Sequence, residues 1–307
     1  MARIYPKMFF GDGLVDQDKA KLAITTSAIL YGLSVYTVFP VLKTKSGKLV
    51  AFRLEDHYNR LRESARIIGI DGFNGEWTLK QFTDAARQLV KENKIKEDTF
   101  VRATLHVDEK LAGTRSRGLH TVFSMFAYEA VPILPQNGAR LKTSVWRRIP
   151  DYSIPSRAKV NGAYVNSVLV KQDALDSGYD DCIFLDGLGH VCELSAANIF
   201  IVRNGVLITP DLTSDLLEGI SRRSIIQLAK ETAIEVQERA VDFTELYIAD
   251  EVFASGTSAF VAPVLEIDAR KIADGKIGPL TSRLKKMHEA ALREEEKKHT
   301  DWLTILG

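Results

Sequence analysis

Cysteine is scarce in this 307-residue chain, which has only Cys182 and Cys192. Two thiols are too few for a disulfide framework or for a structural zinc site, whose ligands normally come in fours, so both read as buried apolar side chains. No stretch approaches the ~20 apolar residues of a membrane span, and the opening MARIYPKMFF lacks the apolar run of a secretory leader. The expected home is the cytoplasm. Charge of one sign is also missing: 41 Lys+Arg stand against 40 Asp+Glu, a formal total of +1. Nothing global therefore steers the chain onto nucleic acid or an anionic membrane. There is no Gly-x-Gly-x-x-Gly, Walker-type phosphate loop, His-Glu-x-x-His or Gly-x-Ser-x-Gly, and the six histidines lack ligand spacing. Dinucleotide, nucleotide, zinc-protease and serine-hydrolase chemistries lose their local support, and no metal is expected.

What remains is ample for real cores. The composition is 45% hydrophobic, and at about 150 residues per domain the length predicts two domains. Residues 33–40 (LSVYTVFP) read as a strand, Lys45-Ser46-Gly47-Lys48 as a turn and Leu49–Phe52 as the return strand. Leu54, Tyr58, Leu61, Ala65 and Ile68 lay one apolar stripe along a helix that Gly69 closes. Thr78-x-x-Gln81 resembles a capping box opening a second helix, with Leu79, Phe82, Ala86, Leu89 and Val90 inward. In TFVRATLHV, Val101, Ala103, Leu105 and Val107 share one face, and Phe100, Arg102, Thr104 and His106 the other. That second face is either exposed or lines a pocket, and alternation alone favours exposure.

Residues 129–140 (EAVPILPQNGAR), with two prolines and a glycine, form the best linker. Beyond it an amphipathic helix is expected over roughly 163–177, stopping at Gly178. A strand CIFLD turns at Gly187–Gly189, and NIFIV, Asn204-Gly205 and VLIT make a hairpin with the usual two-residue turn. A helix follows Gly219, strands fall near 234–238 and 251–255, and a charged helix lies near 281–299.

Five local groups occur in order in the second half: Arg157-Ala158-Lys159 with Asn161-Gly162-Ala163-Tyr164, then Cys192-Glu193-Leu194-Ser195-Ala196-Ala197-Asn198, Leu217-Glu218-Gly219-Ile220-Ser221-Arg222, and Ala254-Ser255-Gly256-Thr257-Ser258. Alone, each has a bland explanation as a solvated lysine, a surface glutamate or a loop. Together, in this order and spacing, they resemble the class IV aminotransferases, fold-type IV pyridoxal-phosphate enzymes. The likeness extends through Phe52-Arg53-Leu54-Glu55-Asp56-His57 with Arg60-Leu61, Trp146-Arg147-Arg148 and Asp301-Trp302-Leu303. Branched-chain amino-acid aminotransferases are the most similar branch, through Tyr31-Gly32-x-Ser34-Val35 and Val101-Arg102.

The resemblance implies an α+β, two-domain fold: a small N-terminal domain over 1–128, an interdomain loop over 129–138 and a larger C-terminal domain over 139–307, with the cofactor in the cleft. It implies a homodimer or higher homo-oligomer and, as substrates, an amino donor and a 2-oxo acid acceptor exchanged by a ping-pong mechanism. Lys159 would attach pyridoxal 5′-phosphate and shuttle the substrate's proton, which needs an amine able to shed its own proton. Glu193 would sit beside the pyridine nitrogen, favouring the protonated ring. Tyr164 would bond the phenolic oxygen and Leu217 would back the ring. The phosphate would take Arg60, the backbone of Ile220 and Ser221 after Gly219, and Thr257, because free donors and the dipole meet at a helix N-terminus. Gly219 and Gly256 would let backbone approach without a Cβ. Tyr31, Tyr36, Phe100 and Tyr128 would line the substrate pocket. Arg102 and the Thr257-Ser258 turn would hold the carboxylate, which makes the Phe100/Arg102 face a pocket wall.

One segment departs from the branched-chain pattern. Where those enzymes carry Phe-Glu-Gly-Ile/Val-Arg/Lys, this chain reads Tyr36-Thr37-Val38-Phe39-Pro40. Val38 would narrow the pocket floor, and Pro40 removes a basic residue. Tyr-x-Val is similar to (R)-selective amine transaminases, which becomes the alternative substrate class. A D-amino-acid transaminase ranks third, since Arg115, Arg117 and His120 have the wrong spacing, and aminodeoxychorismate lyase fourth.

Overall fold

A computed structural model describes residues 2–73 and 77–307, which pack as two units. One comprises Met1–Val131, Ala158–Ala163 and Ala290–Gly307, the other Pro132–Arg157 and Tyr164–Glu289. The division is thus not between two consecutive stretches. Residues 158–163 and the C-terminal segment join the first unit because backbone pairing draws them in: Val160 bridges Val35, and strand Leu303–Ile305 pairs with residues 50–52.

The first unit contains β1 (Lys7–Phe10), β2 (Gly13–Asp16), α1 (Ser27–Leu30), β3 (Ser34–Lys43), β4 (Leu49–Phe52), α2 (Leu54–Ile67), α3 (Leu79–Glu92), β5 (Thr99–Val107) and β6 (Thr121–Glu129). Its sheet has seven strands, in the order Leu303–Ile305, β4, β3, β5, β6, β1, β2. The expected hairpin forms, with Gly47 at φ +89° in its turn. The Thr78 hydroxyl accepts from Gln81 N, and the Gln81 side chain accepts from Thr78 N, so the capping box opens α3 as expected. Antiparallel register puts Tyr36 opposite Thr104, Val38 opposite Arg102 and Pro40 opposite Phe100, while Arg102 faces Phe126 and Phe100 faces Tyr128 on β6. Directly paired residues project to the same side. One sheet face therefore carries Tyr36, Val38, Phe100, Arg102, Phe126 and Tyr128. The other carries Val35, Phe39, Val101, Ala103 and Leu105 and packs on Leu54, Leu61, Phe82 and Leu89 of α2 and α3. The exposure that alternation favoured for the Phe100 face is corrected here: Phe100 and Thr104 are buried, because both neighbouring strands add side chains to that side.

The second unit holds β7 (Ala139–Arg147), α4 (Tyr164–Asp176), β8 (Asp181–Leu185), β9 (Val191–Leu194), β10 (Asn198–Arg203), β11 (Val206–Thr209), α5 (Ile220–Glu231), β12 (Val236–Glu238), β13 (Glu251–Gly256), β14 (Phe260–Ile267) and α6 (Pro279–Leu292). The strands run β12, β11, β10, β13, β14, β7, β8, β9, and β9 pairs back to β10 at Glu193 and Asn198. That pairing closes six strands into a ring. Asn204 and Gly205 both take positive φ, as a two-residue hairpin turn requires. Two expectations change. Helix α6 stops at Leu292 rather than near 299, with Glu294 in the left-handed region. Helix α4 is not amphipathic in the expected sense, since Val165, Val168 and Leu169 are exposed along one side. Among the described residues, no helix is long and apolar enough to cross a membrane.

Candidate active site

The lysine segment is pinned to the first sheet by backbone bonds. Tyr36 N donates to Lys159 O at 3.0 Å, Asn161 N to Ser34 O at 2.9 Å and Gly162 N to Gly32 O at 3.2 Å. Two glycines permit this approach: a Cβ on Gly32, whose φ is +64°, would stand 2.8 Å from Gly162 Cα. Helix α2 adds a further tie, because Lys159 N donates to Ser64 Oγ at 3.0 Å. The Lys159 ammonium then lies 5.0 Å from the centroid of the Tyr36 ring.

Arg102 meets the same ring, its Cζ 3.6 Å from the centroid. It donates from Nη2 to Asn161 Oδ1, whose own amide donates to Ser34 Oγ. The guanidinium is thus clamped between an aromatic face and a residue two places beyond the lysine. Phe100 and Tyr128 pack with ring centroids 5.8 Å apart, and Phe126 joins Tyr128 at 5.9 Å. Of the expected substrate residues, Tyr36, Val38, Phe100, Arg102 and Tyr128 share this face. Tyr31 follows α1 and is exposed. His106, further along the face, bonds Ser124 Oγ at 2.9 Å. Burial, followed by the nearby Arg102 charge, pushes its pKa down to about 4, so the imidazole is neutral near pH 7.

Arg60 projects from α2 beneath the opposite sheet face. Its Nη2 donates to Thr37 Oγ1 at 3.3 Å, and Thr37 Oγ1 also lies 2.9 Å from His57 Nδ1. Thr37 and His57 are both buried.

In the second unit, Glu193 occupies β9 where the ring of strands closes. Arg148 Nε stands 3.0 Å from Glu193 Oε1, Glu193 being buried and Arg148 half-buried, though the contact lacks hydrogen-bond alignment. The other oxygen, Oε2, accepts from Asn198 Nδ2 at 3.2 Å and Leu217 N at 3.3 Å. Asn198 Nδ2 also donates to Leu217 O at 3.0 Å, fixing the Leu217 backbone. Gly219 is the N-cap of α5 and supplies no side-chain cap, and the buried Ile220 and Ser221 open the helix, whose first N–H groups have no partner further back along the helix. An anion suits such an end. Gly256 ends β13 against the 196–197 backbone, where a Cβ would lie 3.4 Å from Ala196 O, and the half-buried Thr257 and Ser258 follow. The adjacent Ser255 hydroxyl is buried without a hydrogen-bond partner among the described residues. Tyr164, half-buried, begins α4.

Sequence reasoning quoted Asn161 and Asn198 within the ordered groups without giving either a role, and missed Phe126 and the pairing of Arg148 with Glu193. Phe126 left a local signal, the alternation of Phe123, Met125 and Ala127 against Phe126 and Tyr128. Both cysteines are free and buried, and burial raises each thiol's pKa, so neither is poised to react. Among the described residues, no group of three or more His, Cys, Asp or Glu side chains could hold a metal.

Comparison with known proteins adds a family. Residues 37–267 match the amino-transferase class IV family. The chain is 37% identical over 299 residues to a probable branched-chain-amino-acid aminotransferase of Aquifex aeolicus (strain VF5), covering 96% of this chain and 95% of that protein. Its structure is similar to the branched-chain aminotransferase of Thermoproteus uzoniensis solved with norvaline, with TM-score 0.94, 34% identity and coverage of 98% and 99%. It is also similar to the branched-chain amino acid aminotransferase of Thermobaculum terrenum in its PLP-bound holo-form, with TM-score 0.92, 30% identity and 99% coverage of both chains.

Proposed function

The chain belongs to the class IV aminotransferases, and from that premise we propose that it is a pyridoxal-phosphate-dependent transaminase moving an amino group between a branched-chain L-amino acid and a 2-oxo acid. Likeness to branched-chain enzymes over nearly the whole chain carries this reading. The residues suit the cofactor. An α5 start without a side-chain cap and the Arg60 guanidinium are donors for a phosphate dianion, and the buried Glu193 carboxylate suits a protonated pyridine nitrogen.

When bound, pyridoxal phosphate supplies the carbonyl that captures the amino group and the electron sink that stabilises negative charge at the substrate's Cα. In this reading, Lys159 attaches the cofactor and moves the proton at Cα. Glu193 holds the proton on the ring nitrogen, and Tyr164 bonds the phenolic oxygen. Leu217 supports the ring. Gly219, Ile220, Ser221, Gly256 and Thr257 offer backbone and hydroxyl donors to the phosphate. Arg102 and Ser258 receive the substrate carboxylate, and Tyr31, Tyr36, Val38, Phe100 and Tyr128 exclude water around the side chain.

Lys159→Ala should abolish the visible absorption that pyridoxal phosphate gives the protein and cut turnover by roughly a thousandfold or more. A variant that kept both would overturn the assignment. Tyr36 and Val38 share the sheet face with Arg102, and this supports a second reading, an (R)-selective amine:2-oxo acid transaminase. Half-reactions with L-leucine, D-alanine and (R)-1-phenylethylamine separate the two. Bleaching by the chiral amine alone would replace the first reading with the second.

We further propose a homodimer, supported by the exposed apolar side of α4 at Val165, Val168 and Leu169, with light scattering of the purified protein as the test. The reading places the enzyme in the cytoplasm, where reduced thiols such as Cys182 and Cys192 persist.

A further inference from the structure

Between Val35 and Val41, the face of β3 that packs on α2 is apolar except at one position. Thr37 lies between Val35 and Phe39, opposite Ala103, and is fully buried. Valine has nearly the same shape and would fill this space without a hydroxyl to satisfy, so the Thr37 oxygen needs a reason beyond packing. Two side chains from one side of α2 meet it: His57, and Arg60 three residues later, in the next turn.

The Arg60 bond has a fixed direction. A guanidinium can only donate, so Thr37 Oγ1 accepts from Arg60 Nη2. His57 Nδ1 shares the same hydroxyl at 2.9 Å, as donor or acceptor according to its tautomer. Arg60, Thr37 and His57 thus form a chain anchored in a buried histidine. The same helix turn carries Ser64, whose hydroxyl donates to Arg60 O at 2.8 Å and accepts from Lys159 N at 3.0 Å. Fixing an arginine side chain costs rotamer freedom, and a side chain already held loses less of it on meeting an anion.

We propose that Thr37 and His57 are positioning residues that hold the Arg60 guanidinium ready for the cofactor phosphate. Thr37 stands where the branched-chain pattern has glutamate, so the contacts to Arg60 here run through a hydroxyl and an imidazole rather than a carboxylate. The inference rests on the reading of Arg60 as a phosphate ligand.

Titration of the apoprotein with pyridoxal 5′-phosphate and with pyridoxal, followed by tryptophan fluorescence, isolates the phosphate. Thr37→Val should weaken pyridoxal phosphate roughly five- to tenfold, the value of one hydrogen bond, and leave pyridoxal unchanged. Thr37→Ser should restore the preference. If Thr37→Val weakens both ligands alike or neither, Thr37 is a packing residue and the proposal is overturned. Arg60→Gln separates the two layers. Should it leave the preference for the phosphorylated ligand intact, the phosphate role of Arg60 fails and the proposal falls with it. Should it abolish the preference while Thr37→Val does not reduce it, the positioning role alone fails. If Thr37→Val does not fold, Thr37→Ala carries the same comparison, since it removes the hydroxyl without placing a second methyl beside the imidazole.

Discussion

Arg148 and Glu193 form a largely buried ion pair in the second unit, Nε to Oε1 at 3.0 Å, with 11% and 8% of their side chains exposed. Removing one partner of such a pair leaves the other charge without compensation in a poorly solvated place. Arg148→Met should therefore lower the stability of the apoprotein by about 3 kcal/mol in urea denaturation, even though Asn198 and Leu217 N remain on Oε2. Arg148→Met with Glu193→Gln should recover most of the loss. A single variant as stable as the starting protein would show that the pair contributes no mutual stabilisation.

Gly219 tolerates no side chain, for a reason unrelated to backbone strain. Its φ is −69°, available to any residue, yet a Cβ would stand 2.0 Å from Asn198 Oδ1. Asn198 is buried and holds both Glu193 Oε2 and Leu217 O, so it has nowhere to retreat. Gly219→Ala should destabilise the protein by roughly 1–3 kcal/mol and weaken pyridoxal phosphate binding. Thermal denaturation together with cofactor titration reads both effects. Unchanged values would mean that the Asn198 amide can rotate aside.

Asn161 holds Arg102 through the bond to Nη2. Asn161→Ala removes the acceptor on Nη2 and frees the guanidinium to wander across the Tyr36 ring. KM for L-leucine should rise about tenfold, near the value of a hydrogen bond to a charged group, with kcat changed less. Turnover of an amine lacking a carboxylate should be unaffected. An equal fall in kcat for both donors would place Asn161 in the lysine's service instead.

His106 gives stability a defined pH dependence. Its folded pKa, about 4, lies below the ordinary 6.5, so between those values the unfolded chain takes up a proton that the folded protein refuses. Stability therefore falls as pH drops from about 6.5 to about 4, by on the order of 3 kcal/mol, and this contribution is flat above 6.5. His106→Gln should remove that part of the slope in urea unfolding measured across the same interval. A slope identical in the variant would assign the acid sensitivity elsewhere.

Local features were readable in advance where the interaction spans only a few residues. The Thr78–Gln81 capping box, the Asn204-Gly205 turn and the stripe of Leu54, Tyr58, Leu61 and Ala65 each formed as expected. Helix α4 shows the limit. Its hydrophobic residues were visible, but which side met β7 and β8 was not, and Val165, Val168 and Leu169 are exposed. The outer face of β5 failed for a related reason: alternation distinguishes two faces without saying what covers the second.

The sequence by itself determined the family, the ordered set around Lys159, Glu193, Gly219 and Thr257, and the turns and caps that rest on neighbouring residues. Only the tertiary structure decided the partners: Arg102 with Asn161, 59 residues away, Glu193 with Arg148 and Asn198, and the lysine segment on β3 rather than among the strands that follow it. Periodicity and capping are properties of a short stretch of backbone. A buried polar side chain, by contrast, must find its complement wherever the fold brings one, and sequence distance says nothing about where that is.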